Sequence, residues 1–228
     1  MGYIEQIKYK KNMKLPKNIN KVTLIIAGII ALTHLSALIL MPMFPERVAS
    51  HWNEQGQANG YMSKILGIYL IPLVLTLTTL LFYYIPKLDP LKKNIEKFKS
   101  HYEYFILSFA IFMFYLYILT VAWNLGFKFN FSLFMIPAIS FLLIYTGFFV
   151  EKAKRNWFIG FRTPWTLTND KVWEHTHKFG GKMFIVCGFI SLISLIYPIY
   201  TIWFILVPVL TSSFLIFLFS YLAWKHYV

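Results

Sequence analysis

Two polar segments hold most of the residues whose types and spacing point to chemistry. The first reads Pro45-Glu46-Arg47-Val48-Ala49-Ser50-His51-Trp52-Asn53-Glu54-Gln55-Gly56-Gln57-Ala58-Asn59-Gly60-Tyr61-Met62-Ser63-Lys64. His51 and Glu54 are three apart, so on a helix they would share a face. With His34, from the apolar block just upstream, they form a candidate metal set for a hydrolytic site. Such a site needs three protein ligands, and the two-histidine helical motif of metalloproteases is absent. The alternative without chemistry is a hairpin cap at the membrane interface. In that reading Gly56 and the Asn59-Gly60 pair form turns, Trp52 and Tyr61 sit at headgroup level, and His34 is a neutral side chain bonded to a neighbouring helix.

The second segment spans 156–182 and begins Asn156-Trp157-Phe158-Ile159-Gly160-Phe161-Arg162-Thr163-Pro164-Trp165. Tryptophans recur every eight residues, at Trp157, Trp165 and Trp173. Thr163-Pro164 imposes an extended or turn conformation. A helix is expected to begin at Thr168 or Asn169, with Asp170 favoured in its first turn by the helix dipole. On it Trp173 and His177 share a face, while His175 and His177, two apart, point to nearly opposite sides and would share an ion only in extended backbone. The Arg162 fork suits a lipid phosphate, a helix C-terminus or a partner's carboxylate. The alternative is an interfacial re-entrant loop, with its tryptophans at the headgroups and its basic residues on phosphates.

Elsewhere the catalytic alphabet is thin. The chain has nine acidic residues in total. It shows no serine-nucleophile motif, no phosphate-cradling glycine loop and no paired catalytic carboxylates. Cys187 is the single cysteine, which excludes an intramolecular disulfide and a cysteine-based zinc site; a buried, inert thiol is expected. No cofactor is implied.

The elements that must position these segments follow from composition. Of 228 residues, 58% are hydrophobic and 14% charged, against roughly 25% charged in soluble domains. The apolar residues stand in blocks of about 20, the length a helix needs to cross the hydrocarbon layer. The blocks are 22–41, 65–85, 105–125, 131–150, 183–200 and 202–224. Unpaired backbone is not tolerated in lipid, so helices are expected, and the alternating segments of a β-barrel are absent. The fold class is therefore all-α, a polytopic membrane protein with six transmembrane helices. The first block lacks a small-residue cleavage site and leads into further spans, unlike a cleavable signal. Pro72, Pro137 and Pro208 interrupt spans two, four and six and are read as kinks.

Charge orients the bundle. The formal net charge is +13, and 19 of the 22 basic residues fall on one side. The arm carries Lys8, Lys10, Lys11, Lys14, Lys17 and Lys21, and the inner loops and tail hold the rest; Arg47, Lys64 and Lys128 fall opposite. Short loops rich in Lys and Arg stay cytoplasmic, which places both termini inside. Membrane lipids explain the charge as partners, and direct nucleic-acid binding is not implied. The organisation expected is a basic arm at 1–21, a three-span half at 22–125 with the His51-Trp52-Asn53 loop outward, and a three-span half at 126–228 with the Arg162-Thr163-Pro164-Trp165 loop inward. Three spans per half would permit a transporter-like inverted repeat, although the halves share no motif.

The outward His51-Trp52-Asn53-x-x-Gly56, then Asn59-Gly60-Tyr61 and Ser63-Lys64, resembles the signature of an uncharacterised domain of bacterial membrane proteins. The inward Asn156-x-x-Ile159-Gly160-x-Arg162-Thr163-Pro164-Trp165-Thr166-Leu167, then Trp173, resembles the second half of the SdpI immunity-protein family. Lys87-Leu88-Asp89-Pro90 is also similar to that family, and Asn59 departs from it, standing where Asp is frequent. The resemblance runs from span one to span six. It implies a six-span protein of the bacterial cytoplasmic membrane that protects against a secreted sporulation-delaying peptide toxin. It also implies a toxin sensor that draws a DNA-binding autorepressor to the membrane. By position, His51, Trp52, Asn53, Gly56, Asn59, Gly60 and Tyr61 would face the toxin. Asn156, Gly160, Arg162, Thr163, Pro164, Trp165, Trp173 and His177 would form the cytoplasmic motif. The alternatives are a membrane metallopeptidase using His51, Glu54 and His34 at the outer face, and a small transporter; the thin catalytic alphabet weighs against an enzyme.

Overall fold

The computed structural model describes residues 20–228; of the expected basic arm, Lys8, Lys10, Lys11, Lys14 and Lys17 lie outside them. Six helices are long and apolar enough to cross a membrane. They are α1 (Lys21–Leu40), α2 (Lys64–Leu88), α4 (Lys99–Asn124), α5 (Phe131–Lys152), α7 (Asp170–Leu192) and α8 (Thr201–Tyr227). Two short helices, α3 (Lys92–Glu96) and α6 (Pro164–Thr168), lie between them. A two-stranded antiparallel sheet, β1 (Arg47–Trp52) with β2 (Ala58–Ser63), joins α1 to α2. Spans one to four and six thus fall where the apolar blocks place them. Span five does not: its helix starts at Asp170, thirteen residues before the block at 183–200, and ends in a 3₁₀ turn at Ile193–Leu195.

Asparagines start three of the spans. Asn20 accepts from the Val22 N–H, Asn130 from the Leu133 N–H, and Asn169 from the Lys171 and Val172 N–H groups. Each satisfies amides that the first helical turn leaves free. The expected start at Asn169 is borne out. Pro72, Pro137 and Pro208 lie inside α2, α5 and α8.

The helices are apolar on all sides, as membrane spans are, with Leu38, Leu77, Phe141 and Leu210 among the exposed large side chains. Association without a hydrophobic drive relies on close packing and polar contacts. Gly147 on α5 faces Gly181 on α7, and a Cβ at Gly188 would meet the Ser140 carbonyl oxygen at 2.8 Å. The Ser140 and Ser191 hydroxyls bond across this seam at 2.6 Å. Between α7 and α8, the buried Cys187 Sγ lies 3.1 Å from Ser212 Oγ. On the other side, Ser36 of α1 donates to the Tyr117 hydroxyl of α4 at 3.0 Å. One apolar core unites α1, α2, α4 and α5 through Ile26, Leu75, Ile106, Phe149 and Trp173 of α7. A second cluster of Ala37, Phe44, Val48, Ile68 and Tyr117 lies under the sheet.

Candidate functional site

The polar segments occupy opposite ends of the bundle. At the hairpin end the chain turns through Asn53–Gln57, where the Asn53 N–H donates to Gln57 O and the Gly56 N–H to Asn53 O, both at 2.9 Å. The Asn53 side chain accepts from the Gln57 N–H at 2.9 Å. Gly56 sits at φ +73°, the left-handed region that favours glycine. Any Cβ there would collide with the Asn130 carboxamide. Gly56→Ala is therefore expected to loosen the hairpin by about 1–3 kcal/mol, read as faster hydrogen exchange at the Asn53 and Gln57 amides. Unchanged exchange would show that the turn tolerates a side chain.

Asn59-Gly60 does not form the turn. Both residues lie in β2, where Gly60 faces His51 at an irregularity of the ladder. The helix that would have given His51 and Glu54 a common face is likewise replaced by a strand and a turn. His51 Nδ1 bonds Asn59 Oδ1 at 2.6 Å, the Glu54 carboxylate accepts from Gln55 Nε2, and His34 Nδ1 bonds the Ile30 carbonyl at 3.0 Å. The three candidate ligands do not converge: among the described residues no group of three His, Cys, Asp or Glu side chains is placed to hold a metal.

The hairpin caps more than spans one and two. The Asn124 carboxamide, at the end of α4, accepts from the Ala49 N–H at 2.8 Å and donates to the Ala49 carbonyl at 3.1 Å. Ser132 at the start of α5 donates to the Asn53 carbonyl at 2.9 Å. Trp52 stacks on Phe131, with centroids 3.7 Å apart, and meets Trp123 edge-on. Trp52 is thus a packing residue of the cap. His51, Asn59 and Tyr61 remain exposed, with the Arg47 guanidinium over the Tyr61 ring. Lys128 lies nearby, its Nζ 3.3 Å from the Trp123 ring centroid, and lost hydration lowers its pKa from the ordinary lysine value.

At the basic end the segment after span four is a bonded network. The fully buried Asn156 carboxamide accepts from the Phe158 and Ile159 N–H groups at 2.9 and 2.6 Å. It donates to the Lys154 and Ile159 carbonyls at 2.8 and 3.0 Å. Gly160 follows at φ +98°, and a Cβ on it would strike His177. Thr163 and Thr166 form a capping box that starts α6, with Pro164 at its first position. Trp165 packs against Phe217 and Tyr221 of α8.

Trp173 and His177 share a buried face, stacked at 4.0 Å. Trp173 is not a headgroup anchor: its Nε1 donates to the Ala153 carbonyl at 2.8 Å. His177 Nδ1 lies 2.8 Å from the Trp173 carbonyl, and Nε2 lies 3.0 Å from the Phe161 N–H. A carbonyl only accepts and a backbone N–H only donates, so the ring is neutral with its proton on Nδ1. His175 points away, to the Tyr227 hydroxyl of α8. Arg162 stays exposed, donating to the Trp157 carbonyl at 3.1 Å.

One organising residue was not singled out by the spacing of polar groups. Asp89, 2% exposed, accepts from the Leu91 N–H at 2.6 Å and from the Trp157 N–H at 2.8 Å. It joins the loop after span two to the loop after span four. Its signal was an acidic residue next to proline in an otherwise lysine-rich loop.

Six apolar helices, capped by a strand hairpin at one end and by an asparagine-centred loop at the other, define a multi-pass membrane protein whose distinctive residues gather at its two ends. Residues 152–222 match the SdpI/YfhL protein family, and residues 28–76 match a domain of unknown function, DUF1648. The chain is 32% identical over 162 residues to the Immunity protein SdpI of Bacillus subtilis (strain 168), covering 71% of this chain and 75% of that one. The chain belongs to the SdpI family. No solved structure matches it.

Proposed function

We propose that this chain is an immunity protein of the bacterial cytoplasmic membrane that meets a secreted peptide toxin with its hairpin end. The observation that carries the reading is the exposed His51–Asn59 pair on a rigidly tethered hairpin, in a chain similar to a protein named for immunity. Both termini are cytoplasmic in this reading, as the positive-inside rule requires of the basic end. The hairpin half at 22–125 then receives the toxin. The half at 126–228 presents Trp157, Phe158 and Arg162 to the cytoplasm, the face proposed for a repressor, while the surrounding lysines contact anionic lipid.

The test is expression in a toxin-sensitive strain. Survival should rise with the wild-type chain and fall toward the unprotected level in a His51→Ala/Asn59→Ala double variant with unchanged membrane abundance. Unchanged killing by every peptide toxin tried would remove the immunity reading. For the sensing role, Arg162→Ala is expected to leave protection intact and to abolish toxin-dependent induction of a reporter. A C-terminal reporter fusion found outside the cell would invert the whole assignment.

A further inference from the structure

Between the hairpin and the loop joining α4 to α5 lies a cleft of about 480 Å³. Its walls include Gln57, Tyr61, Trp123, Lys128, Phe129 and Asn130. Of these, Trp123, Lys128, Phe129 and Asn130 fall outside both segments matched to the families, and Gln57 and Tyr61 lie within the second.

Lys128 is its source of charge. The ammonium lies over the Trp123 ring and donates to the Trp123 carbonyl at 2.8 Å. An ammonium has three N–H groups; one is taken by that carbonyl, and the ring face engages the charge. No carboxylate among the described residues lies within 4.0 Å of it, in contrast to Lys64, which pairs with Glu46. A cation is thus held in an aromatic niche with donor capacity to spare.

The Asn130 oxygen is taken up in capping α5, but its NH₂ and the Gln57 carboxamide offer donors and an acceptor to peptide bonds, which favours a peptide over a lipid phosphate.

We propose that this cleft binds the carboxylate-bearing end of a peptide, its carboxylate on Lys128, its adjoining apolar side chain on Trp123 and Phe129 and its last peptide bonds on the side chains of Gln57 and Asn130. This rests on the reading of the hairpin end as the toxin-facing surface, and adds the chemical group recognised and the residues that recognise it.

The experiment uses the full chain in phosphatidylcholine nanodiscs. The probes are N-acetyl-Thr-Val-Thr-Val-Phe with a free C-terminal carboxylate and the same peptide as its amide, and binding is read from the phenylalanine proton signals by NMR titration. The free acid should bind at least tenfold more tightly than the amide. Lys128→Gln should abolish that preference and Lys128→Arg should keep it, with unchanged helical circular dichroism in both. A third probe, N-acetyl-Thr-Val-Thr-Asp-Phe-amide, places the carboxylate on a side chain; binding it as tightly as the free acid would assign the site to acidic residues instead of the C-terminus and overturn the proposal in this form. Equal binding of acid and amide, no binding of either, or a preference surviving in Lys128→Gln would also overturn it. So would Lys128-dependent displacement of the peptide by phosphatidylglycerol added to the nanodisc, which would give the site to a lipid phosphate. Protection assays separate this from the immunity reading. A protective wild type with an equally protective Lys128→Gln leaves immunity standing and removes the cleft. A wild type that protects against no toxin, yet prefers the free acid, does the reverse.

Discussion

Asn156→Ala is expected to lower the stability of the bundle by about 3 kcal/mol or more, because it strips acceptors from two amides and donors from two carbonyls at once. Asn156 and Ile159 are both buried, and the carboxamide makes four hydrogen bonds within one turn of chain. Water cannot readily replace them. Asn156→Asp is a sharper probe. It keeps the one oxygen that accepts from both Phe158 and Ile159, but it turns the second carboxylate oxygen toward the Lys154 and Ile159 carbonyls. Loss in both variants, seen as a lower unfolding midpoint in detergent and faster exchange at residues 158 and 159, would identify the turn as a bonded unit. A change below about 1 kcal/mol in Asn156→Ala would mean that the turn holds by packing alone.

Asp89→Asn should be costly despite being isosteric, by about 2 kcal/mol, and Asp89→Ala by about 3 kcal/mol, because hydrogen bonds to a charged acceptor are the stronger kind. Both carboxylate oxygens are used, one on Leu91 and one on Trp157. An Asn must present its NH₂ to one of those N–H groups, donor against donor. The loop at 156–159 should then detach from the loop after α2, and limited proteolysis near Trp157 should accelerate. Lys178→Ala is the internal contrast. Its pair with Glu174 is exposed on both sides, 60% and 53%, and exposed pairs contribute roughly 1 kcal/mol or less. Equal effects of Asp89→Asn and Lys178→Ala would show that burial adds nothing to the Asp89 bonds.

The six spans were legible because the hydrocarbon layer imposes a length on every crossing segment, and that length is written in side-chain composition. Span five shows where this reading stops. Hydropathy placed its start at Met183, since His175, His177, Lys178, Gly180 and Gly181 dilute the apolar run. The helix nevertheless continues back to Asp170, because Asn169 caps it and Trp173 and His177 bury their shared face. Local signals gave the cap and the Trp173–His177 face; where that face packs was tertiary information. The same holds at the hairpin. Gly56 was readable as a turn residue, whereas Asn59-Gly60, an equally good local signal, lies in a strand. The bonds from Asn124 to Ala49 and from Asp89 to Trp157 join residues 75 and 68 positions apart. No periodicity records such pairs, although a lone carboxamide inside an apolar block is itself a polar anomaly in the membrane.

The ties at the two ends also bear on how the molecule can move. The first three spans and the last three are joined at the hairpin end by Ser132 on Asn53 and by the Trp52–Phe131 stack. At the basic end they are joined by Asn94 on the Arg155 carbonyl and by Trp157 on Asp89. Rocking one half against the other, as alternating access requires, opens one end while closing the other, and here each opening would break two such clasps. The bundle is built like a bolted strut that holds its hairpin end and its basic end at a fixed separation.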